Sequence, residues 1–345
     1  MSRTVDDRVA DVRRLIGAAR SVYANRARIA PQVARCTGLT PEGVALGFES
    51  LEREASDADL RALIARSGVA DCVHAILSAN VFVSAMRALV IARATADRVT
   101  IHPSRRDPVL AIALVEAAAD PAIVVQPERD VASVTGGEIH VYGRDATIAA
   151  VRALAQPGVT VRGHGTGLGV AIVTNAADLA QAADLLAADV VPFDQRGCLS
   201  PRVALVEGDA ARAWSFAQAL DECLRGWGRR VPRGALLDDE PGEAMRWRDT
   251  MAFAGRVWAS DHHAVALGAV GAPLLVPPAG RHLYVAPQPN WDGVASCLTP
   301  VARFVVAVGT DDPARVREIA PDNARVSRLG LMQRPPLDGP VDRRS

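Results

Sequence analysis

The sequence has no lysine: its 39 basic residues are all arginine, set against 39 acidic residues. Schiff-base chemistry, pyridoxal phosphate attachment and a Walker-type phosphate loop each need a lysine amine, so those classes are set aside. A formal net charge of zero argues against an electrostatic binder of nucleic acid or of an anionic membrane. Aromatic residues make up only 4% of the chain while 49% is hydrophobic, so the core must be built mainly of Ala, Val and Leu. No apolar h-region follows the start, MSRTVDDRVADVRRL, and no run of about 20 uncharged apolar residues marks a membrane span. The cysteines, Cys36, Cys72, Cys198, Cys223 and Cys297, are odd in number, far apart and without CxxC spacing. A disulfide framework or structural zinc site is therefore not expected, and a cytoplasmic protein with reduced thiols is.

What is there is enough for two or three domains, since 345 residues can enclose more than one core. Up to about residue 70 the pattern is helical: Val9, Val12, Leu15 and Ile16 keep helix spacing, and 56–64 repeats it. Thr40 before Pro41 and Glu42 reads as an N-cap with proline at the first helical position. From about 72, short β-branched segments alternate with alanine-rich helices. VTIH (99–102), AIVV (122–125), EIHVY (138–142), VTVR (159–162), GVAIV (169–173) and VALVE (203–207) read as strands. DPVLAIALVEAAA, DATIAAVRALA and NAADLAQAADLLAA read as helices, followed by a long helix over 209–226 and an exposed loop over 228–241. PLLVPP and RFVVAVG are further strand candidates, the second with a helix behind it. The alternation predicts a parallel sheet under helices, with ligands at the carboxyl ends of its strands, and a second α/β domain from about 194.

Four segments have residues that chemistry can use. In DQRGCLSP (194–201), Cys198 sits in polar, turn-forming company, flanked by Arg196 and Arg202, cations that favour a thiolate. Nothing local supplies a histidine base, and from these residues alone a packing role remains the better reading. In the crossover 77–108, Asn80 follows a strand, where it either caps a helix or offers its amide to an oxyanion. His102 and Ser104 stand just past the next strand, facing a nucleotide or serving the turn. VYGRDAT puts Gly143 at a strand-to-helix turn whose backbone N–H groups suit a phosphate, although many such turns bind nothing. RGHGTGLGVAIV has glycines at 163, 165, 167 and 169, more than a turn needs, which points to close approach of backbone to a ligand. Its His164 is a base candidate or an ordinary loop histidine. The adjacent His262 and His263, with Asp261, lack partners at ligand spacing, so no metal site is expected.

The order of SANVFVSAM, VTIHPSRRDP, VYGRDAT, RGHGTGLGVAIV and DQRGCLSPRVALVEG resembles the aldehyde dehydrogenase superfamily. The likeness is to its long-chain acyl-CoA reductase branch of bacterial bioluminescence, with a matching tail in VSRLGLMQRPPLDGP, and covers roughly 70–345. It implies two α/β domains with parallel-rich sheets, a Rossmann-like cofactor domain and a catalytic domain, behind an N-terminal helical segment. The expected bounds are 1–70 for the helical segment, 71–193 for cofactor binding, 194–312 for catalysis and 313–345 for a C-terminal segment. Cys198 matches the catalytic cysteine and Asn80 the oxyanion-hole asparagine. His102 and Ser104 match the turn that holds the adenosine ribose, Gly143 with Arg144 the phosphate-side turn, and Gly163 and Gly165 the nicotinamide end.

Departures from the pattern refine this expectation. The ribose-binding lysine is replaced by His102. After Ser104 comes Arg105, where NAD-preferring relatives often carry Glu; Arg105 and Arg106 can bind a 2′-phosphate, so NADPH is expected. The glutamate base of hydrolytic relatives is missing from VTVRGHGTG. Water-dependent deacylation needs such a base and hydride transfer does not. The resemblance therefore implies NADPH-dependent reduction of an acyl-CoA, or another activated acyl substrate, through an acyl-cysteine. An acyl-phosphate reductase, an aldehyde dehydrogenase of the same superfamily and a non-catalytic binding partner stay open, as do a homo-oligomer and an acyl-carrier partner.

Overall fold

The computed structural model describes residues 3–51, 55–237 and 239–337. The last residues of the tail noted above, 338–340, lie outside them. The chain divides into two compact units. The first holds residues up to 37, then 44–166, and takes up the chain again at 336; the second holds 38–43 and 167–335.

The chain opens with helices α1 (Val5–Ala24), α2 (Ala30–Thr37), α3 (Pro41–Phe48) and α4 (Asp57–Ser67). Their starts follow capping chemistry. Thr4 with Asp7 and Ser56 with Asp59 form capping boxes, and the Gly43 N–H donates to Thr40 Oγ1 at 3.2 Å. The expected apolar stripe of α1 is buried, from Val9 through Ile16.

Next come β1 (Ala70–Ile76), α5 (Ser84–Thr95), β2 (Ala96–His102), α6 (Val109–Ala118), β3 (Ile123–Val125), β4 (Glu138–Tyr142), α7 (Asp145–Leu154) and β5 (Thr160–His164). The strands form one sheet in the order β3-β2-β1-β4-β5, parallel throughout. Helix α5 packs on β1 and β2 and also meets α1, α4 and α6, so it is buried from Ala85 to Thr95 apart from Arg87. Such a helix must be apolar or paired on every face. Its one buried cation, Arg93, is held by Asp120 and Asp11, each at 2.9 Å. The strand order reverses between β1 and β4, which opens a crevice at their carboxyl ends.

The second unit contains β6 (Leu168–Val173), α8 (Leu179–Val190), β7 (Pro201–Glu207), α9 (Ala210–Arg230), α10 (Glu240–Ala254), β8 (Arg256–Ala259), β9 (Ala264–Leu267), β10 (His282–Gln288), α11 (Trp291–Leu298), β11 (Val305–Thr310), α12 (Pro313–Val316) and β12 (Arg325–Arg328). The sheet order is β12-β11-β6-β7-β10-β9-β8, and only β8 with β9 runs antiparallel. Every residue of β6, β10 and β11 is buried, as expected of central strands covered on both faces.

Two expectations change. PLLVPP is loop, not strand: Pro273, Pro277 and Pro278 offer no N–H to a ladder. The paired segments are AVAL before it and HLYVAPQ after it. The long helix continues to Arg230 and α10 begins at Glu240, which narrows the expected loop to 231–239, with residue 238 outside the described residues. No helix among the described residues is long and apolar enough to cross a membrane.

The all-round burial of α5 makes it the sensitive element of the first unit. Replacing Leu89, 1% exposed, by Ala should cost about 2–5 kcal/mol in urea unfolding.

Candidate active site

Cys198 is exposed, three residues ahead of β7, at the end of an unusual turn. Phe193, Asp194 and Gln195 are all left-handed, with φ of 57°, 50° and 64°. Non-glycine residues held in this region cost about 1–3 kcal/mol each and persist only where their surroundings fix them. Here the surroundings do. Phe193 is buried, and the buried Asp194 carboxylate accepts from Arg281 Nε at 2.9 Å and from Gly234 N at 2.9 Å. The amide of Gln195 donates to Pro201 O and His282 O, both at 2.7 Å, and accepts from His282 N at 2.9 Å. The turn that presents the thiol is thus clamped to the entrances of β7 and β10.

Glycine lets a neighbouring strand close on this turn. A Cβ at Gly167 would lie 2.9 Å from Cys198 Cβ and 2.6 Å from Val306 Cγ2; one at Gly169 would lie 2.5 Å from Ser200 O. Gly163 and Gly165 are equally hemmed in, by Ile148 and by the Asp145 carboxylate. The close approach expected of this run is real, and in all four cases the approaching group is the protein's own. From the far side, Gln333 Nε2 donates to Ser200 Oγ at 3.1 Å. Its segment is tied down by Asp189, which accepts from Gly330 N and Met332 N. Burial raises the Asp189 carboxyl to about 7, although these N–H bonds oppose the shift.

The flanking arginines have different duties. Arg196 donates to Ala235 O at 2.9 Å and reaches Glu240 at 3.3 Å. Arg202 is half-buried at the second position of β7. Burial lowers its pKa, while Glu243, Cys198 and Glu240 favour its charged form.

The other expected site residues belong to the first unit. Asn80 is exposed in the turn after β1 and does not cap α5. Arg106 donates to Asn80 Oδ1 at 3.4 Å, and the amide nitrogen bonds no protein atom among the described residues. Ser104 Oγ accepts from Arg106 N at 3.3 Å, while Arg105 is exposed. His102 points inward: it is 4% exposed, bonds Glu128 O through Nδ1 at 2.7 Å and lies 3.3 Å from His74 Nδ1 through Nε2. Gly143 N donates to His164 O, and the exposed Arg144 opens α7 without a side-chain cap. The His164 ring stacks on Tyr142 at 4.3 Å.

Glu138 was not visible as part of this neighbourhood, because it lies on the strand beside VTVRGHGTG rather than within it. It takes both oxygens of its carboxylate to Arg162 at 2.6 Å and accepts from His140 at 2.8 Å. Burial disfavours the anion, but these bonds and charges prevail and pull its pKa down to about 2. His262 and His263 are also used internally: His263 bridges Ser260 and Asp221, and His262 packs on Gly228.

A parallel five-stranded sheet with its switch at β1 and β4, followed by a second sheet with an exposed cysteine before β7, defines an aldehyde dehydrogenase-like fold. Three solved structures are similar to it. They are the aldehyde dehydrogenase KauB from Pseudomonas aeruginosa (TM-score 0.70, 16% identity, 93% of this chain and 76% of that one), an NAD-dependent benzaldehyde dehydrogenase from Corynebacterium glutamicum (0.66, 17%, 96% and 84%), and an NADP-dependent glyceraldehyde-3-phosphate dehydrogenase from Bacillus halodurans complexed with NADP (0.67, 12%, 95% and 79%). The family model for acyl-CoA reductase (LuxC) matches residues 57–335, and the chain belongs to that family. It is an oxidoreductase acting on acyl or aldehyde groups. A search of curated proteins found no match.

Two outcomes follow from this geometry. Arg281→Met strands the Asp194 carboxylate in the interior, and unfolding free energy should fall by about 3–5 kcal/mol. The low pKa of Glu138 stabilises the fold fully above about pH 4.5, and that contribution fades as pH falls toward 2. Denaturation of wild type and Glu138→Gln should differ by about 3 kcal/mol at neutral pH, with the gap closing over that acid range.

Proposed function

We propose that this chain reduces an acyl-CoA thioester to the aldehyde with NADPH, carrying the acyl group on Cys198. The observation that carries this reading is the exposed thiol at the end of a strained, over-determined turn, with the half-buried cation Arg202 four residues on. Strain held in place by a buried ion pair is the expected signature of a group fixed for chemistry.

The first unit fits a nicotinamide dinucleotide. Its sheet has the switch-point order, and Arg105 stands exposed beyond β2 with no carboxylate partner among the described residues. Ser104, Gly143 and the first turn of α7 are the further groups assigned to holding it, with Arg105 on the 2′-phosphate. When bound, the cofactor supplies hydride to the acyl carbon.

The protein's own part is nucleophilic and electrostatic. The Cys198 thiolate adds to the thioester carbonyl, forming a C–S bond, and the carbonyl electron pair moves to oxygen. The Asn80 amide nitrogen and the Cys198 backbone N–H are the donors assigned to that oxyanion. Its collapse expels CoA thiolate, which takes a proton from solvent, and leaves the acyl group on sulfur. After reduction, collapse of the thiohemiacetal anion breaks the same C–S bond, releasing the aldehyde and restoring the thiolate. Glu138, locked to Arg162 and His140 with a pKa near 2, is too weak a base to draw a proton from water, which supports reduction over hydrolysis.

The experiment is a coupled measurement of CoA release and NADPH oxidation across acyl chain lengths. One CoA per cofactor is expected. Cys198→Ala should abolish turnover, and Asn80→Ala should lower kcat by roughly 10²–10³ while leaving the thiol reactive toward iodoacetamide. Full activity in Cys198→Ala, or phosphate release from acyl phosphates with none of CoA from thioesters, would sink the assignment.

A further inference from the structure

We propose that Arg129, in the turn after β3, is the second arm of a phosphate clamp whose first arm is Arg105. In this clamp His102 is the positioning residue that sets Arg129 in place. The ligand chemistry is a ribose monophosphate on adenosine, and the proposal commits to the 2′-phosphate of NADPH. It rests on the nicotinamide reading above and adds two roles to it.

The argument begins with the backbone. Strands β2 and β3 run parallel and in register, Val99 beside Ile123 through Ile101 beside Val125, so their carboxyl ends emerge side by side. Beyond the last pair the two chains stay tied. Gln126 N donates to Ile101 O at 2.9 Å, and the His102 ring bonds Glu128 O at 2.7 Å. A carbonyl can only accept, so the proton is on His102 Nδ1; Nε2 is then the acceptor toward His74 Nδ1 at 3.3 Å. Both ring nitrogens are therefore occupied, and the buried ring cannot itself hold a ribose. What it does hold is the residue just before Arg129.

Arg105 lies three residues after His102, so the same imidazole sits at the base of both arms. Both arginines are exposed, and neither has a carboxylate partner among the described residues. Arg93, Arg162, Arg225, Arg281 and Arg315 all have one. Arg106 is turned the other way, onto Asn80. Partial burial lowers the pKa of Arg129, and the charge of Arg105 lowers it further, so the two guanidinium groups feel each other. Like charges brought near one another repel, and a dianionic phosphate between them reverses the sign. In Rossmann-like sheets the end of the second strand is where an arginine accepts a 2′-phosphate. Two planar guanidinium groups suit a phosphate better than one.

The test is calorimetric binding of 2′,5′-ADP, 3′,5′-ADP and 5′-AMP to the full chain. Wild type should bind 2′,5′-ADP at least tenfold tighter than either competitor. Arg105→Ala and Arg129→Ala should each lose roughly 10–100-fold on 2′,5′-ADP and stay within about twofold of wild type on 5′-AMP. His102→Ala should lose the same discrimination, and His102→Asn, whose amide can reproduce the Nδ1–H donor, should recover most of it. If wild type binds 2′,5′-ADP no better than 5′-AMP, the NADPH reading itself fails. If wild type discriminates but Arg129→Ala does so equally well, the clamp alone is overturned. Preference for 3′,5′-ADP would make this a CoA site and overturn the assignment.

Discussion

The pairing of Asp194 with Arg281 is the constraint on which the geometry around Cys198 depends. Three successive left-handed residues would not hold their shape in a free loop. At Asp194 the backbone oxygen takes Gly280 N while the carboxylate takes Arg281 and Gly234, so one residue fixes the turn to both flanking segments. Arg281, itself left-handed at φ 64°, spends a further donor on Val231 O at 2.7 Å. A buried ion pair of this kind adds little net stability over apolar packing, because desolvation offsets most of the attraction. Its effect is positional: it fixes the path of the turn, which ends at the exposed Cys198.

That dependence explains why the glycines at 167 and 169 belong to the same device. With the turn fixed, β6 has to pass close to Ser200 and Cys198, and no side chain fits between. Fixing the turn in one place thus dictates residue type some thirty positions earlier, on a different strand. The C-terminal segment completes the enclosure through Gln333 on Ser200, which gives that segment a mechanical role.

Much of this fold was legible in the sequence because the strands are short β-branched runs between helices with clear caps. EIHVY coincides with β4, and Thr40 caps α3 as its neighbours imply. HLYVAPQ was harder: a fully buried strand containing His, Tyr, Pro and Gln gives no apolar alternation. Two of its polar side chains find backbone partners outside the strand: the His282 ring bonds Ala279 O at 3.0 Å and the Tyr284 hydroxyl donates to Pro273 O at 3.4 Å. PLLVPP failed for the opposite reason, being apolar but short of donors. Within the candidate site, Cys198, Asn80 and Arg105 stood out by their local company. Arg281 could not, since nothing in its own segment shows that it ends beside a residue 87 positions away. The inward turn of His102 was equally hidden, because its partners, His74 and Glu128, lie on other strands and turns.

A chain with no lysine must use the guanidinium for every cationic task, and the two ways it does so separate structural from functional charge. Arginine cannot lose its proton at working pH, so a buried one demands an anion and an unpaired one advertises for it. Arg93 and Arg281, both buried, meet that demand with carboxylates of the chain, and the half-exposed Arg162 is paired with the buried Glu138. Glu138 is the telling case, since an unpaired acid beside the glycine-rich segment would be free to activate water. Tied to Arg162 it remains an anion down to strongly acidic pH and has no spare affinity for a proton. Arginine is thus the residue type that holds the acid of β4 in its charged form beside the glycine-rich run.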